Sequence, residues 1–346
     1  MNRKVTQHRA ISFLWVTILC FISIMAYGQN NLQKYYEYVN KAELAICREN
    51  YEEAGEFYKQ AFAEFPPFGR DLHFASLLNY KYLNNEEEAL KYAYILQQMN
   101  YGIVRYFLGD EKEKYPALQK KLEMMQDTVK VLVIPELEEA LEKLYDADQN
   151  VRKKGPEDGD FDKWMDTIRF IDSVNLLTLQ ALYQKYGEIN ERNAGMGFSY
   201  GSAYLVLLHN HYYLHDPESL IFEEVMKGNF NANNYMELKT RYLMQAGEMD
   251  YYACHNVPVI HDVLFLLEPE NVEFVNQKRK EIYISETWED YKEKALHCFY
   301  QKSHDFRLCN LKSIAFGNDE DDEKEMSSRK SKIDSGEIKG SYYTKE

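Results

Sequence analysis

The spacing of apolar and polar residues divides this chain into unequal stretches. A nearly unbroken apolar run, Ile11 to Met25, comes first. From residue 34 to 126, apolar side chains recur every three or four residues, with no proline before Pro66-Pro67. That is the period of amphipathic helices. The same period predicts helices over Pro135–Lys154, Phe161–Tyr186, Ser202–His215, Pro217–Met226 and Asn231–Ala246. Gly155-Pro156, Gly187, Gly228 and Gly247 fall where these helices should stop, and Asp216-Pro217 is a helix start. Ile260 to Leu267 is an apolar run that suits a buried strand or a short helix. Pro269–Ile284 and Ser285–Lys302 read as helices, the second capped by Ser285 with Glu286, Glu289 and Asp290 in its first turn. From Gly317 apolar residues thin out and charges crowd, which is the composition of a disordered tail.

The apolar run follows Arg3, Lys4 and Arg9 and ends at Ala26-Tyr27-Gly28. This is the three-part layout of a secretory signal, with cleavage expected before Gln29. The run is short for a membrane span of roughly 20 residues, so membrane attachment follows only if the segment stays uncleaved. Thr17-Ile18-Leu19 lacks the small residues a lipid-attachment site at Cys20 would need. The expectation is an exported protein, periplasmic or extracellular and envelope-associated.

One stretch of the helical region has a finer pattern. Ala42, Tyr51, Ala54, Tyr58, Ala61 and Pro66 place small, aromatic and terminating residues so that two antiparallel helices approach closely, wedge and stop. In this it resembles a tetratricopeptide repeat. A weaker copy follows about 35 residues on, with Leu77, Tyr80, Ala89, Ala93 and Leu96 in matching places. The resemblance covers residues 34–100 and implies a helical array that binds a peptide or an envelope protein.

A second pattern runs through residues 144–255. Asp148-Gln149 with Arg152 forms one box, and Asp172 with Asn175 forms another on the next helix. Gly187 follows, His209 ends an apolar helix, Asp216 lies beyond it, and Arg241 and Tyr252-Ala253-Cys254-His255 complete the series. This order resembles a family of bacterial secreted proteins with a domain of unknown function, whose pattern runs D-Q-x-x-R, D-x-x-N, H, D-R and Y-G-T-Q. Thr240 stands where that pattern has the aspartate of D-R, and His255 where it has glutamine. The resemblance implies a compact helical domain and a set of polar residues, with no reaction attached.

Together these readings predict an all-α fold. A signal peptide at 1–28 precedes a tetratricopeptide-like array at 29–127. A helical domain at 128–316 and a disordered tail at 317–346 follow.

Composition narrows the partners. The formal net charge is −15, and removal of residues 1–28 would make it three units more negative. Such a surface repels nucleic acid and anionic head groups. The 29 tyrosines suit helix packing, with hydroxyls reaching water. Cys47, Cys254, Cys298 and Cys309 remain after the signal segment, and their pairing cannot be read from spacing. No C-x-x-C occurs.

Asp148 and Arg152 share one helix face, as do Asp172 and Asn175. If their helices converge, Asp148, Gln149, Arg152, Asp172, Asn175, His209, Arg241 and His255 either surround a pocket or form a packing network. His209 with Asp148 or Asp172 would make an acid–base pair. His211 and His215 are spaced to ligate one metal from a helix, so zinc is a candidate cofactor. His215 near a helix C-terminus is equally explained by the helix dipole. No nucleophile elbow, phosphate loop or dinucleotide fingerprint is present. The expected function is a non-catalytic interaction module of the cell envelope. The alternative is a hydrolase-like enzyme with a His/carboxylate site, with metal or without it.

Overall fold

A computed structural model of the chain describes residues 31–102, 115–158, 162–195, 197–198, 203–210, 218–300, 305–309, 311–313 and 319–345. The proposed signal segment, His211 and His215 lie outside the described residues. The fold is all-α with one small sheet.

The amino-terminal part is built from α1 (31–47), α2 (Tyr51–Glu64), α3 (Gly69–Lys81), α4 (Glu86–Gln98) and α5 (Pro116–Thr128). On α1, Leu32, Tyr35, Tyr36, Val39, Ala42 and Ile46 form one buried stripe. Ala54, Tyr58 and Ala61 of α2 are fully buried. Asn85 caps α4 by accepting from the Glu88 amide, and Glu86, Glu87 and Glu88 sit against the positive helix end.

The central part contains α6 (Pro135–Asp158), α7 (Met165–Tyr186), α8 (Glu191–Ala194), α9 (Ala203–His209), α10 (Glu218–Lys227) and α11 (Ala232–Gln245). Helix α6 continues past Gly155-Pro156, where a stop was expected. Pro156 falls in the last turn, so the disruption a proline causes meets the helix only where it is ending. Gly187 ends α7 with a φ of +73°, as a terminating glycine should. Gly228, with a φ of +75°, follows α10, and a side chain there would run into the Phe65 ring.

The carboxyl-terminal part holds α12 (Val272–Glu281), α13 (Trp288–Tyr300) and α14 (Asp319–Asp334). Its four strands are β1 (Pro258–Ile260), β2 (Val263–Leu267), β3 (Lys312–Ser313) and β4 (Gly340–Thr344). The sheet order is β3-β1-β2-β4, with β1 parallel to β3 and the other two pairings antiparallel. Thus the apolar run at 260–267 is a hairpin strand. Thr287, not Ser285, caps α13: its Oγ1 accepts from the Asp290 amide at 3.2 Å, and Asp290 Oδ2 accepts from the Thr287 amide at 2.9 Å. Ser285 instead donates to the Tyr36 carbonyl at 3.0 Å and ties α1 to this region.

The expected disordered tail is a correction. Residues 319–345 carry α14 and β4, and β4 pairs with β2 from Val263↔Thr344 to Leu267↔Gly340. Composition undercounts such a segment because strand pairing uses backbone groups, while a few apolar side chains suffice to seat it. Met326, Ile333 and Tyr342 close over Ile260, Val263 and Phe265.

The expected boundary near residue 128 does not divide the packing. One apolar core runs from Leu32 through Leu141, Leu179 and Val206 to Phe306 and Leu308. Polar bonds link the chain ends as well: Arg48 is bidentate on Glu293 at 2.7 and 2.8 Å, and Asn40 donates to Asp290 at 3.1 Å. Among the described residues, no helix is long and apolar enough to cross a membrane.

Deleting residues 317–346 should therefore destabilise the protein by about 2–4 kcal/mol, because it uncovers Phe265 and leaves β2 an open edge. Thermal unfolding of the truncated chain checks this. An unchanged Tm would return the segment to a passive tail.

Candidate functional site

Helices α6 and α7 pack side by side, and α9 lies against both. This brings together residues from three separate sequence patterns. Asp148 is 1% exposed, and His209 Nδ1 lies 2.7 Å from its Oδ1. Arg152, one turn beyond Asp148 on α6, donates to the same Oδ1 at 2.7 Å. Its second terminal nitrogen is bidentate on Asp172, 2.8 Å from each oxygen. Gln149 donates to Asp148 Oδ2 at 2.7 Å. Burial pushes the Asp172 carboxyl above its ordinary range, against the pull of Arg152. One guanidinium thus serves two carboxylates, and one of those carboxylates orients an imidazole.

His209 ends α9 with its side chain about one-fifth exposed. Among the described residues, Nδ1 carries its hydrogen bond and Nε2 carries none. An imidazole held at one nitrogen by a buried carboxylate and open at the other is the arrangement of a general base. Asn175 and Asn210 stitch the helices: Asn175 donates to the Leu144 carbonyl at 3.1 Å, and Asn210 to the Asp172 carbonyl at 2.9 Å.

Arg241 and His255 gather around other carboxylates. Arg241 lies 3.9 Å from Glu237, one turn earlier on α11. His255 faces Asp250, its amide donating at 3.2 Å and its ring Nδ1 lying 3.8 Å from the carboxylate. Thr240 Oγ1 and the Tyr252 amide also donate to Asp250, at 2.8 and 2.9 Å. Burial works to raise this carboxyl, yet the bonds from His255, Tyr252 and Thr240 outweigh it and hold it below its ordinary range. Asp250 went unnoticed in the sequence. Its signal was an acid two residues before Tyr252, close to the place where the pattern lacked one.

A cleft of about 1380 Å³ opens between the amino-terminal helices, α6, α11 and the 305–309 segment. Tyr36, Phe74, Tyr101 and Tyr145 give it aromatic surface, and Asn233, Glu237 and Arg241 give it polar surface. Its floor is a chain of buried charges. Lys294 donates to Glu43 at 2.5 Å and approaches Glu286 at 2.8 Å, while Arg70 bonds Glu43 at 2.6 Å. Arg279 bonds Glu286 at 2.7 Å. Burial opposes the Lys294 ammonium, but Glu286 and Glu43 overcome it and hold its pKa above normal. His73, also lining the cleft, has its pKa pushed down to about 4 by burial, so it is neutral near pH 7.

Sequence patterning gave no hint of this floor, because its partners lie far apart in the chain. Among the described residues, no group of three or more His, Cys, Asp and Glu could hold a metal ion. No protein-family profile matches the chain, and no curated protein or solved structure is detectably similar to it.

At the edge of the floor, Asp71 accepts the Tyr35 hydroxyl at 2.5 Å and is pushed up to about 6, by burial first and despite Arg70. A raised carboxyl stabilises the fold fully below its unfolded pKa near 4, and that contribution is lost as pH rises through 6. Asp71→Asn keeps an acceptor for Tyr35 and removes the titration. The stability of the variant relative to the native chain should thus rise by about 1 kcal/mol between pH 5 and pH 7.5. Paired denaturant titrations at the two pH values check it; a constant difference would contradict the assignment.

Proposed function

We propose that this protein is an exported, non-catalytic binding module of the cell envelope that holds an extended peptide segment of a partner. The observation behind this reading is the cleft. Its volume of about 1380 Å³ exceeds the roughly 300–1,000 Å³ of ordinary small-molecule pockets. Its walls mix aromatic rings with amide and charged groups, which suits a chain carrying both apolar side chains and backbone donors and acceptors. The tetratricopeptide-like pattern over residues 34–100, on α1 to α4, and the negative net charge agree with a protein partner and not with nucleic acid. No cofactor is required.

The test is affinity selection from a synthetic library of random decapeptides, using the native chain and Asn233→Trp. Asn233 is an exposed residue on the cleft wall, so tryptophan there fills space without entering the core. The native chain should enrich one sequence class, and the variant should bind it at least tenfold more weakly at unchanged Tm. Absence of enrichment, or equal binding by the variant, sinks the reading.

The carboxylate–imidazole pair supports a second reading, hydrolase-like chemistry with His209 as general base. Asp148 lies seven residues beyond Leu141 on α6, the same face about 10 Å further along. Leu141, Tyr145 and Leu208 line the cleft, and Leu208 adjoins His209. A segment lying along α6 would therefore run toward the pair. A panel of nitrophenyl esters, anilides and phosphates should then show turnover that falls about 100-fold or more in His209→Ala. Turnover that survives in the variant, or none at all in the native chain, removes this reading.

A further inference from the structure

Helix α7 buries one face and leaves the opposite face open. Ile168, Leu176, Leu179 and Leu182 enter the core with Asp172 and Asn175. On the other side, Phe170 and Leu177 are each 65% exposed and Val174 is 41% exposed, with Ala181 exposed as well. These positions follow at intervals of four, three and four residues, so they form one continuous stripe. Single exposed apolar residues mean little, but a contiguous stripe of them marks an interaction surface.

The stripe specifies what covers it. Asp166 extends it at the amino-terminal end and Lys185 at the carboxyl-terminal end, four residues out in each case. From Asp166 to Lys185 the spacing is four, four, three, four, four, which reads the same from either end. A second copy laid antiparallel, about a two-fold axis between Val174 and Leu177, therefore meets the stripe residue for residue. Val174 of one copy then faces Leu177 of the other, the Phe170 ring lies over the small Ala181, and Asp166 reaches Lys185. A parallel pairing would instead set Phe170 on Phe170 and Asp166 on Asp166. We propose that α7 is a homodimer interface, in which two copies of this chain pair antiparallel along the stripe from Asp166 to Lys185.

Two further features fit this partner. The chain has a net charge of −15, which resists self-association, yet α7 carries two acids, Asp166 and Asp172, and two bases, Arg169 and Lys185, and is neutral. At the margins of the stripe, the Ser173 hydroxyl donates to the Arg169 carbonyl at 3.0 Å and the Thr178 hydroxyl to the Val174 carbonyl at 2.8 Å. These donors are satisfied within their own helix, so a partner can cover them without stranding a polar group.

The stripe is roughly 28 Å long at the ordinary helical rise. One helix from each copy places the seam at the low end of specific interfaces, about 1,200 Å² in total, and the dissociation constant is expected in the micromolar range. No residue of the stripe lines the cleft, so pairing leaves both clefts open and does not depend on what they hold.

Sedimentation equilibrium of the purified full chain, up to about 200 μM, tests the proposal. A reversible monomer–dimer equilibrium is expected. Leu177→Glu sets two charges at the centre of the seam from an exposed position, so pairing should weaken about tenfold or more with circular dichroism unchanged. Asp166→Lys and Lys185→Asp should each weaken pairing about fivefold alone, because like charges then meet at both ends. An equimolar mixture of these two variants should pair to within about twofold of the native chain, since every contact between them again joins opposite charges. A monomer throughout the range overturns the proposal. So does a dimer that Leu177→Glu leaves intact, or a mixture of the two charge variants that pairs no better than either alone.

Discussion

A lysine with a side chain only 2% exposed holds the two ends of this protein together. Lys294, on α13, meets Glu43 of α1 and Glu286 of the connection before α13, and those carboxylates are shared with Arg70 of α3 and Arg279 of α12. Five segments meet in one alternating row of charge. Burying each ion alone would cost several kcal/mol, and only the complete row offsets that cost, so loss of a single member is far worse than loss of a surface pair. The row permits one relative placement of these helices, because a displacement of a few ångströms would strand a charge in the core. Hydrophobic burial makes the protein compact; this row sets its register.

Everything of functional interest is mounted on that placement. The row is the floor of the cleft, and Tyr36, Phe74 and the 305–309 segment rise from the elements it joins. On the far wall, α6 carries Leu141 and Tyr145 toward the cleft and, one heptad later, Asp148 and Arg152 toward His209. The carboxylate–imidazole pair is built by the same device on a smaller scale. Arg152 bridges two neighbouring acids, and the imidazole shares Asp148 Oδ1 with it. Stability and candidate chemistry thus use the same kind of interaction, and pair geometry alone does not separate them. Exposure does: His209 reaches solvent, whereas Lys294 and Arg279 do not.

What could be read in the sequence was local. Asp148 and Arg152 at i, i+4 and Asp172 and Asn175 at i, i+3 announced the faces they share, and the all-α architecture followed from apolar spacing. His209 joined them through the order of the second pattern, although its helix was expected to run from Ser202 to His215. The partner of Thr240, by contrast, was found in Asp250, ten residues downstream, where helical spacing carries no information. Glu43 and Lys294 are 251 positions apart, and nothing in either neighbourhood marks them as a pair. The segment after residue 317 was misread for a different reason. Its side chains are those of a solvated segment, while the groups that fix β4 are backbone amides and carbonyls, which every residue has.

The distance spanned by the central row also bears on how the chain reaches its native state. Contacts between α1 and α13 close a loop of some 250 residues, so α1 cannot complete its packing when it first forms. Proteins dominated by such distant contacts fold slowly, because the entropy of loop closure is lost before the contacts compensate it. Until the carboxyl-terminal part arrives, the apolar core that buries Leu32, Tyr35, Tyr36 and Val39 lacks Ile282, Ile284, Phe306 and Leu308, and Glu43 is an acid without its lysine. The apolar stripe of α1 is thus the segment that most needs shielding during folding. A holdase-type chaperone would find its longest-lived target there.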